Sequence, residues 1–451
     1  MMFMVAALVF IWIGTPAPEI SAPQTATIHD TGFISLLFAD SQSGETDNSL
    51  QVYFTESDGD MFPIGTSNPS QFLEYNGDYV SLDYSYSNNN AILIQDIDVL
   101  QDDLQNGVTG NTRWVNIACR FADMKDTTPK PIDYFQDMMV NVPPGMDHYW
   151  RTTSAQLVNI EGSGGFGWYN LPDDKNSYMR MASANTGNAL RKLMNDCVQL
   201  AIDNDQVDFT QFGGINMMLN DTFGCCAWGG RMGVNVQGQI IQFRTTWLPP
   251  WAYNSLHVIA HEMGHGWGLP HSSGPYGKVY DSAWDVMSGG NTNHTDAICR
   301  VGDEKLGCYQ VGTIAFHLAM LGWLPDNRML TVKNGQSATI TLDALTTMAN
   351  SSNMLAVFIP IGNTNTFYTV EVRNFIDYDR NLPGEAVVMH QVVPTRASPA
   401  NVVDADNNGN PNDEGAMWLP GETFNDARNK IQMEVLSRNG STFTVRVSNG
   451  R

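Results

Sequence analysis

HEMGHGWGLPH, residues 261–271, decides how the middle of this chain folds. His261 and His265 stand at i and i+4, so on a helix both imidazoles leave from one face, with Glu262 beside them. Asn254 or Ser255 is placed to cap the start of that helix. Gly268 falls where it would end, because glycine tolerates the left-handed turn that ends one. The turn swings the chain back, stiffened by Pro270, so that His271 reaches the same point from outside the helix. Three neutral imidazoles can then hold one Zn2+ at about 2.0–2.1 Å each and leave a fourth position open to water. Zinc brings the pKa of such a water towards about 7. Glu262 is the one residue the motif places to take its proton and pass it to a leaving amine. With 9 His and 40 Gly in 451 residues, these five fixed letters arise by chance in roughly one chain in 10^5.

The stretch resembles the extended zinc motif of the metzincin peptidases, HExxHxxGxxH followed by a methionine turn. Met287 in WDVMSGG matches that turn. The resemblance implies that His261, His265 and His271 are the ligands of one catalytic zinc, Glu262 the general base, Gly268 the turn glycine and Met287 the floor beneath the metal. WVNIACRFAD, DHYWRTTSAQLVNIEGSGGFGWYNLP, VDFTQFGGINMMLN, AWGG and YDSAWDVMS look like the immune-inhibitor-A-type secreted metallopeptidases, with gametolysin-like enzymes as neighbours. EVRNFIDYDRNLPGEAVVMHQV looks like the β-domain that follows the catalytic domain in some of them. The likeness runs from about Gly110 to the C-terminus and implies a twisted sheet above an active-site helix, with zinc in a horizontal cleft. Two features depart from it. Some metzincins carry a tyrosine two residues after the turn methionine, where this chain has Gly289. No cysteine-switch peptide precedes the motif, and Cys119 lies inside an apolar strand, where it reads as buried or disulfide-bonded.

Outward from the motif, the chain divides by pattern. Met1 to Gly14 is an apolar run too short to span a bilayer comfortably; with the Pro- and Ala-containing stretch after it, residues 1–23 read as a secretory signal peptide or signal anchor. Residues 24–105 hold FISLLFAD, SLQVYFTE, DYVSLDYSYS and AILIQDIDVL, short strands that predict a small N-terminal β-domain. Residues 110–327 mix strands (WVNIACRFAD, INMMLN, QIIQFRTTW) with helices. TGNALRKLMNDCVQLAID repeats its apolar residues at helical spacing, and QVGTIAFHLAMLGWL reads as a further helix stopped by Pro325. Residues 328–451 return to evenly spaced strands, from MLTVKN to TFTVRVS, which predict a β-sandwich. The fold class expected is therefore α+β, a metzincin-like domain flanked by two β-domains.

The composition narrows the partners. The formal net charge is -23, from 47 Asp+Glu against 24 Lys+Arg, which argues against a nucleic-acid partner and against an anionic membrane surface. No stable membrane insertion is expected once the signal is cleaved. The six cysteines fit an exported protein and lack CxxC zinc spacing. Cys299 and Cys308 are placed to close a short loop, and the adjacent Cys225 and Cys226 are expected to find different partners. DADNNGNPND, residues 404–413, places Asp404, Asp406, Asn408, Asn410 and Asp413 as candidate Ca2+ ligands around Gly409. The twelfth position is Gly415 where a bidentate glutamate belongs, and an ordinary Asx-rich loop has the same composition. Asp281 and Asp285 are placed either to orient a ligand imidazole or to serve a turn. His257, one turn before His261, reads as a packed or solvent-facing residue. AWGGRMGV, residues 227–234, is either a sheet edge for an extended peptide or a glycine-rich surface loop. The function expected is a secreted zinc endopeptidase that cuts protein or peptide substrates. Its rival is a zinc-stabilised binding or adhesion protein on a peptidase-like scaffold.

Overall fold

The computed structural model describes residues 27–42, 49–102, 107–289 and 299–450, so the expected signal segment lies outside the described residues. The chain is α+β. Its largest sheet runs, in spatial order, Met61–Pro63, Leu50–Thr55, Ile28–Ser41, Cys226–Val236, Gln239–Leu248, Gly214–Leu219, Trp114–Arg120 and Gly164–Asn170, with Tyr79–Tyr86 and Ile92–Gln101 branching from Ile28–Ser41. The last four strands of that order are parallel, and Cys226–Val236 is antiparallel to its neighbour.

Strand period 2 sorts the residues of this sheet into two cores. In Trp114–Arg120, Val115, Ile117 and Cys119 join one apolar cluster, and Trp114 and Ala118 join the other. Helix Thr186–Asp205 covers the first face through Leu190, Leu193, Met194 and Cys197, the stripe that its spacing predicts. The Asn185 side chain caps it by accepting from the Asn188 N–H at 3.0 Å. Helix Leu256–Trp267 contributes Ile259, Met263 and Trp267 to the second cluster. Polar groups in that layer are paired across the strands. Asn216 Nδ2 donates to Asn116 Oδ1 at 2.9 Å, Asn116 Nδ2 donates to the Phe135 carbonyl at 2.7 Å, and Thr246 donates to Asn216 Oδ1 at 2.8 Å.

The N-terminal strands have their own core of Ile34, Leu36, Phe38, Val52, Phe54, Val80 and Leu82. They are also continuous with the central sheet, because Leu37 to Ser41 pair antiparallel with Gly230 to Cys226. AWGGRMGV is accordingly a buried strand and not a surface loop. Toward the C-terminus, a six-stranded and a four-stranded sheet share one apolar cluster. Val357, Val370 and Met389 come from the first, and Ile340, Met433 and Val445 from the second, as the alternating pattern predicts.

Two expectations are corrected. The helix read over QVGTIAFHLAMLGWL is only Ala315–Met320. Ahead of it the Gly312 N–H donates to Asp379 and its carbonyl accepts from Arg373 and Val286, so those backbone groups are already committed to tertiary partners. Cys225 and Cys226 are bonded to each other, not to separate partners. Cys119 reaches Cys197 between sheet and helix, and Cys299 closes its loop with Cys308. That leaves the adjacent pair only each other among the six cysteines. Among the described residues, no helix is long and apolar enough to cross a membrane.

Candidate metal centre

Helix Leu256–Trp267 carries His261, Glu262 and His265, all buried. Ser255 stands at its N-cap position without a side-chain cap bond. Gly268 ends it at φ 103°, the left-handed turn expected there. The chain then reverses, and Ser272–Ser273 joins the C-terminal sheet beside Ala400–Val402. His271 is thus fixed between the helix and that sheet.

The three Nε2 atoms converge. His265 Nε2 lies 3.1 Å from His261 Nε2 and 3.1 Å from His271 Nε2. Ligand atoms about 2.0–2.1 Å from one tetrahedral ion stand about 3.3–3.4 Å apart, so the spacing fits a single small cation. The tautomers fit as well. His261 Nδ1 donates to the Val286 carbonyl and His265 Nδ1 donates to the Leu269 carbonyl, each at 2.7 Å. A carbonyl only accepts, so each Nδ1 carries a proton, and Nε2 is the atom turned to the shared point. Burial pushes the His265 pKa down to about 3, which keeps that ring neutral.

A fourth donor comes from far away in sequence. Asp40, at the end of Ile28–Ser41, puts Oδ1 2.8 Å from His271 Nε2 and Oδ2 3.2 Å from His265 Nε2 and 3.6 Å from His261 Nε2. Asp40 and the three histidines form a buried group that can hold a metal ion. Burial works against the Asp40 carboxylate, but His271 and His261 beside it hold its pKa well below the ordinary range. Phe38, two residues earlier and so on the same strand face, stacks on His265 with ring centroids 4.0 Å apart and planes within 5°. Tyr280, in the loop that follows His271, donates its hydroxyl hydrogen to Asp40 Oδ1. Its ring lies 5.8 Å from that of His261 and 5.7 Å from that of His271.

Glu262 points its carboxylate into the same region. Both its oxygens are buried without a hydrogen-bond partner among the described residues. Burial, reinforced by the Asp40 charge, raises its pKa well above the ordinary value. Glycines let the layers close around it. A Cβ on Gly229 of the neighbouring strand would stand 2.5 Å from the Glu262 carbonyl oxygen and 2.8 Å from His265 Cβ. Met287 is fully buried under the helix, with its sulfur against Gly264, and its carbonyl accepts from the Ser272 N–H at 3.0 Å.

The remaining candidates sort by their contacts. Asp285 accepts from Ser272 and Thr313 and pairs with His317 at 2.9 Å. Asp281 accepts from Ser273 and the Gly274 N–H. Both carboxylates thus hold the loop after His271, and backbone carbonyls orient His261 and His265 instead. His257 is buried, with Nε2 donating to the Ser288 carbonyl at 3.1 Å, which ties the helix to the methionine segment. In the second constellation Asp404, Asp406 and Asp413 come together as a group that can hold a cation. Asn408 Nδ2 bridges Asp406 and Asp413 at 2.9 and 2.7 Å. Asn410 turns away, accepting from the Asn412 N–H at 3.2 Å. The loop lies between Ala400–Val402 and a single 3-10 turn, Glu414–Ala416, without flanking α-helices.

Sequence reading did not find Asp40 or Tyr280. Asp40 closes an apolar run, ISLLFAD, and a carboxylate on the face of Phe38 was its only signal. Tyr280 lies in a loop, and no periodicity marks it. Compared with protein-family models and with curated proteins, the chain matches none.

Proposed function

We propose that this chain is a secreted zinc-dependent endopeptidase of metzincin type, held closed at its metal position by Asp40. The observation that carries the reading is the convergence of three Nε2 atoms beside Glu262, a buried carboxylate that meets no N–H or O–H donor among the described residues and has the Asp40 carboxylate beside it. A buried unpaired carboxylate is costly, and a structural metal site has no use for it. His261, His265 and His271 would hold the ion. When bound, Zn2+ supplies Lewis acidity that polarises the scissile carbonyl and acidifies water.

The chain's own residues supply the rest. Glu262 takes the proton of the attacking water and delivers it to the leaving amine. Once residues 37–41 leave it, the strand Cys226–Val236 would offer an extended peptide the main-chain hydrogen bonds that it makes to them here. Asp40 then stands where a reacting oxygen would stand, and its strand fills the cleft as a peptide would. The three disulfides fit export. We read the Asp404, Asp406 and Asp413 group as a Ca2+ site of oxygen donors.

A second reading follows from Asp40 itself. Three histidines and an aspartate make a closed four-ligand site, which is the form of a structural zinc centre. The chain would then be a metal-stabilised scaffold for its β-sheets. The experiment is casein hydrolysis by the zinc-loaded Asp40→Ala chain, beside a chelator control and Asp40→Ala/Glu262→Gln. Cleavage abolished by the chelator and by the second substitution supports the peptidase. One zinc per chain with no cleavage, even after limited proteolysis ahead of Gly110 has released residues 37–41 from the strand, supports the scaffold.

A further inference from the structure

We infer that Tyr280 is a catalytic residue of the same site, donating its phenolic hydrogen to the oxyanion that forms on the substrate carbonyl; this rests on the peptidase reading. The contacting atoms of Asp40 are carboxylate oxygens, and Oδ1 occupies the point that an oxygen of the reacting carbonyl would take, 2.8 Å from His271 Nε2. An oxygen there carries negative charge, as the tetrahedral oxyanion does. Tyr280 is the hydroxyl donor that meets it. The phenol is therefore aimed at the place where charge develops, which is the geometric requirement for stabilising it.

Further observations make this a built arrangement. Tyr280 is 7% exposed, so its hydrogen bond works in a region that excludes water. Its backbone is held at φ 56°, a left-handed conformation that is uncommon for a non-glycine residue and that directs the ring inward. The ring stands nearly perpendicular to those of His261 and His271, with interplanar angles of 77° and 83°, and its hydroxyl reaches the Asp40 carboxylate between them. The segment is anchored on both sides. Ser273 Oγ donates to the Lys278 carbonyl before it, and Asp281 is fixed by Ser273 and Gly274 after it. The position that a methionine-turn tyrosine would take is Gly289, so no second phenol competes for the role there. The proton stays on the phenol throughout. It is a hydrogen-bond donor, and Glu262 alone moves protons.

The test uses the full zinc-loaded chain with Asp40→Ala, compared with Asp40→Ala/Tyr280→Phe. Phenylalanine keeps the ring and removes only the hydroxyl. Two readouts are taken: kcat and KM on a peptide substrate, and calorimetric affinity for a phosphinic peptide, whose tetrahedral anion mimics the oxyanion. Loss of one such donor lowers kcat by about 10^2–10^3-fold, with KM within about twofold, zinc stoichiometry unchanged, and phosphinate binding weakened by a similar factor. Values of kcat and phosphinate affinity both within about threefold of Asp40→Ala overturn the assignment while leaving the peptidase reading intact. An Asp40→Ala chain that binds zinc and cleaves nothing, even after limited proteolysis ahead of Gly110 has released residues 37–41 from the strand, rejects the peptidase reading, and the phosphinate comparison still decides whether Tyr280 holds an anion at the metal.

Discussion

The sulfur of Met287 occupies the space where a Cβ on Gly264 would stand, so the helix that carries two of the histidines can rest on Met287 only because residue 264 has no side chain. Gly264→Ala gains about 1 kcal/mol of helix propensity. It must also displace a fully buried thioether, and overpacking of this kind costs about 1–3 kcal/mol. The expected net result is a lower melting temperature. Met287→Ala is destabilising alone, by about 2–5 kcal/mol. The double variant should cost about 1–2 kcal/mol less than the sum of the singles, because the methyl then enters the space the thioether left. Strict additivity in urea unfolding would refute the contact.

Gly229 makes the complementary contact from above. The two nearest atoms an added Cβ would meet are a helix carbonyl and His265 Cβ, neither of which can rotate away, and the third is a Glu262 carboxylate oxygen at 2.9 Å. Gly229→Ala should therefore push the strand off the helix and move His265 from the shared point. We expect zinc affinity to fall at least about tenfold, since disturbing the support of a metal ligand typically costs 10–100-fold. Competition with a chromogenic chelator measures it, and an unchanged affinity would show that the layers yield without disturbing the ligands.

How far the site was legible in the sequence follows from what kind of contact each part makes. His261, Glu262, His265, Gly268 and His271 lie on one helix and its turn, where spacing translates directly into geometry. The apolar stripe of helix Thr186–Asp205 was legible for the same reason, and so were the alternating strands of the C-terminal sheets. Asp40 comes from 231 positions before His271, and its role depends on the register between Ile28–Ser41 and Cys226–Val236. Nothing local specifies that register. The helix around Ala315 was overread because its periodicity is real, while the backbone before it bonds to Arg373, Asp379 and Val286 instead.

The acidic loop yields its own expectation. Asp404 is buried with Oδ1 lacking a partner, and Gly415 packs directly against that oxygen. A divalent cation would offset two of the three carboxylate charges. At about 100 times its dissociation constant, Ca2+ should add about 2.7 kcal/mol to stability, read as a rise in melting temperature that Mg2+ does not reproduce and that Asp404→Asn reduces. Identical melts with and without Ca2+ would leave the segment as an Asx-rich loop held by Asn408.

A last prediction concerns acid stability and the buried pair His390 and Glu371, whose Nδ1 and Oε2 are 3.9 Å apart. Asp285, Arg373 and His317 also face His390. Burial pushes the His390 pKa down to about 3, so the folded chain holds it neutral while the unfolded chain protonates it below about 6.5. Its contribution is present above that pH and is lost as pH falls towards 3. Burial pushes the Glu371 carboxyl up to about 7, so folding favours its protonated form. That contribution is fully present below about 4.5 and is lost as pH rises through 7. Between about pH 6.5 and 4.5 the two slopes oppose, each up to about 1.4 kcal/mol per pH unit, and the pair adds almost no net pH dependence. Glu371→Gln removes one of them, so its unfolding free energy should fall with acid across this window relative to the parent chain. His390→Leu should rise relative to the parent over the same window. Any constant offset, such as the loss of charge beside Arg373, drops out because only the slope is read. Urea unfolding at three pH values from 6.5 to 4.5 decides it. Variant curves parallel to the parent would mean that neither group changes its protonation on unfolding there.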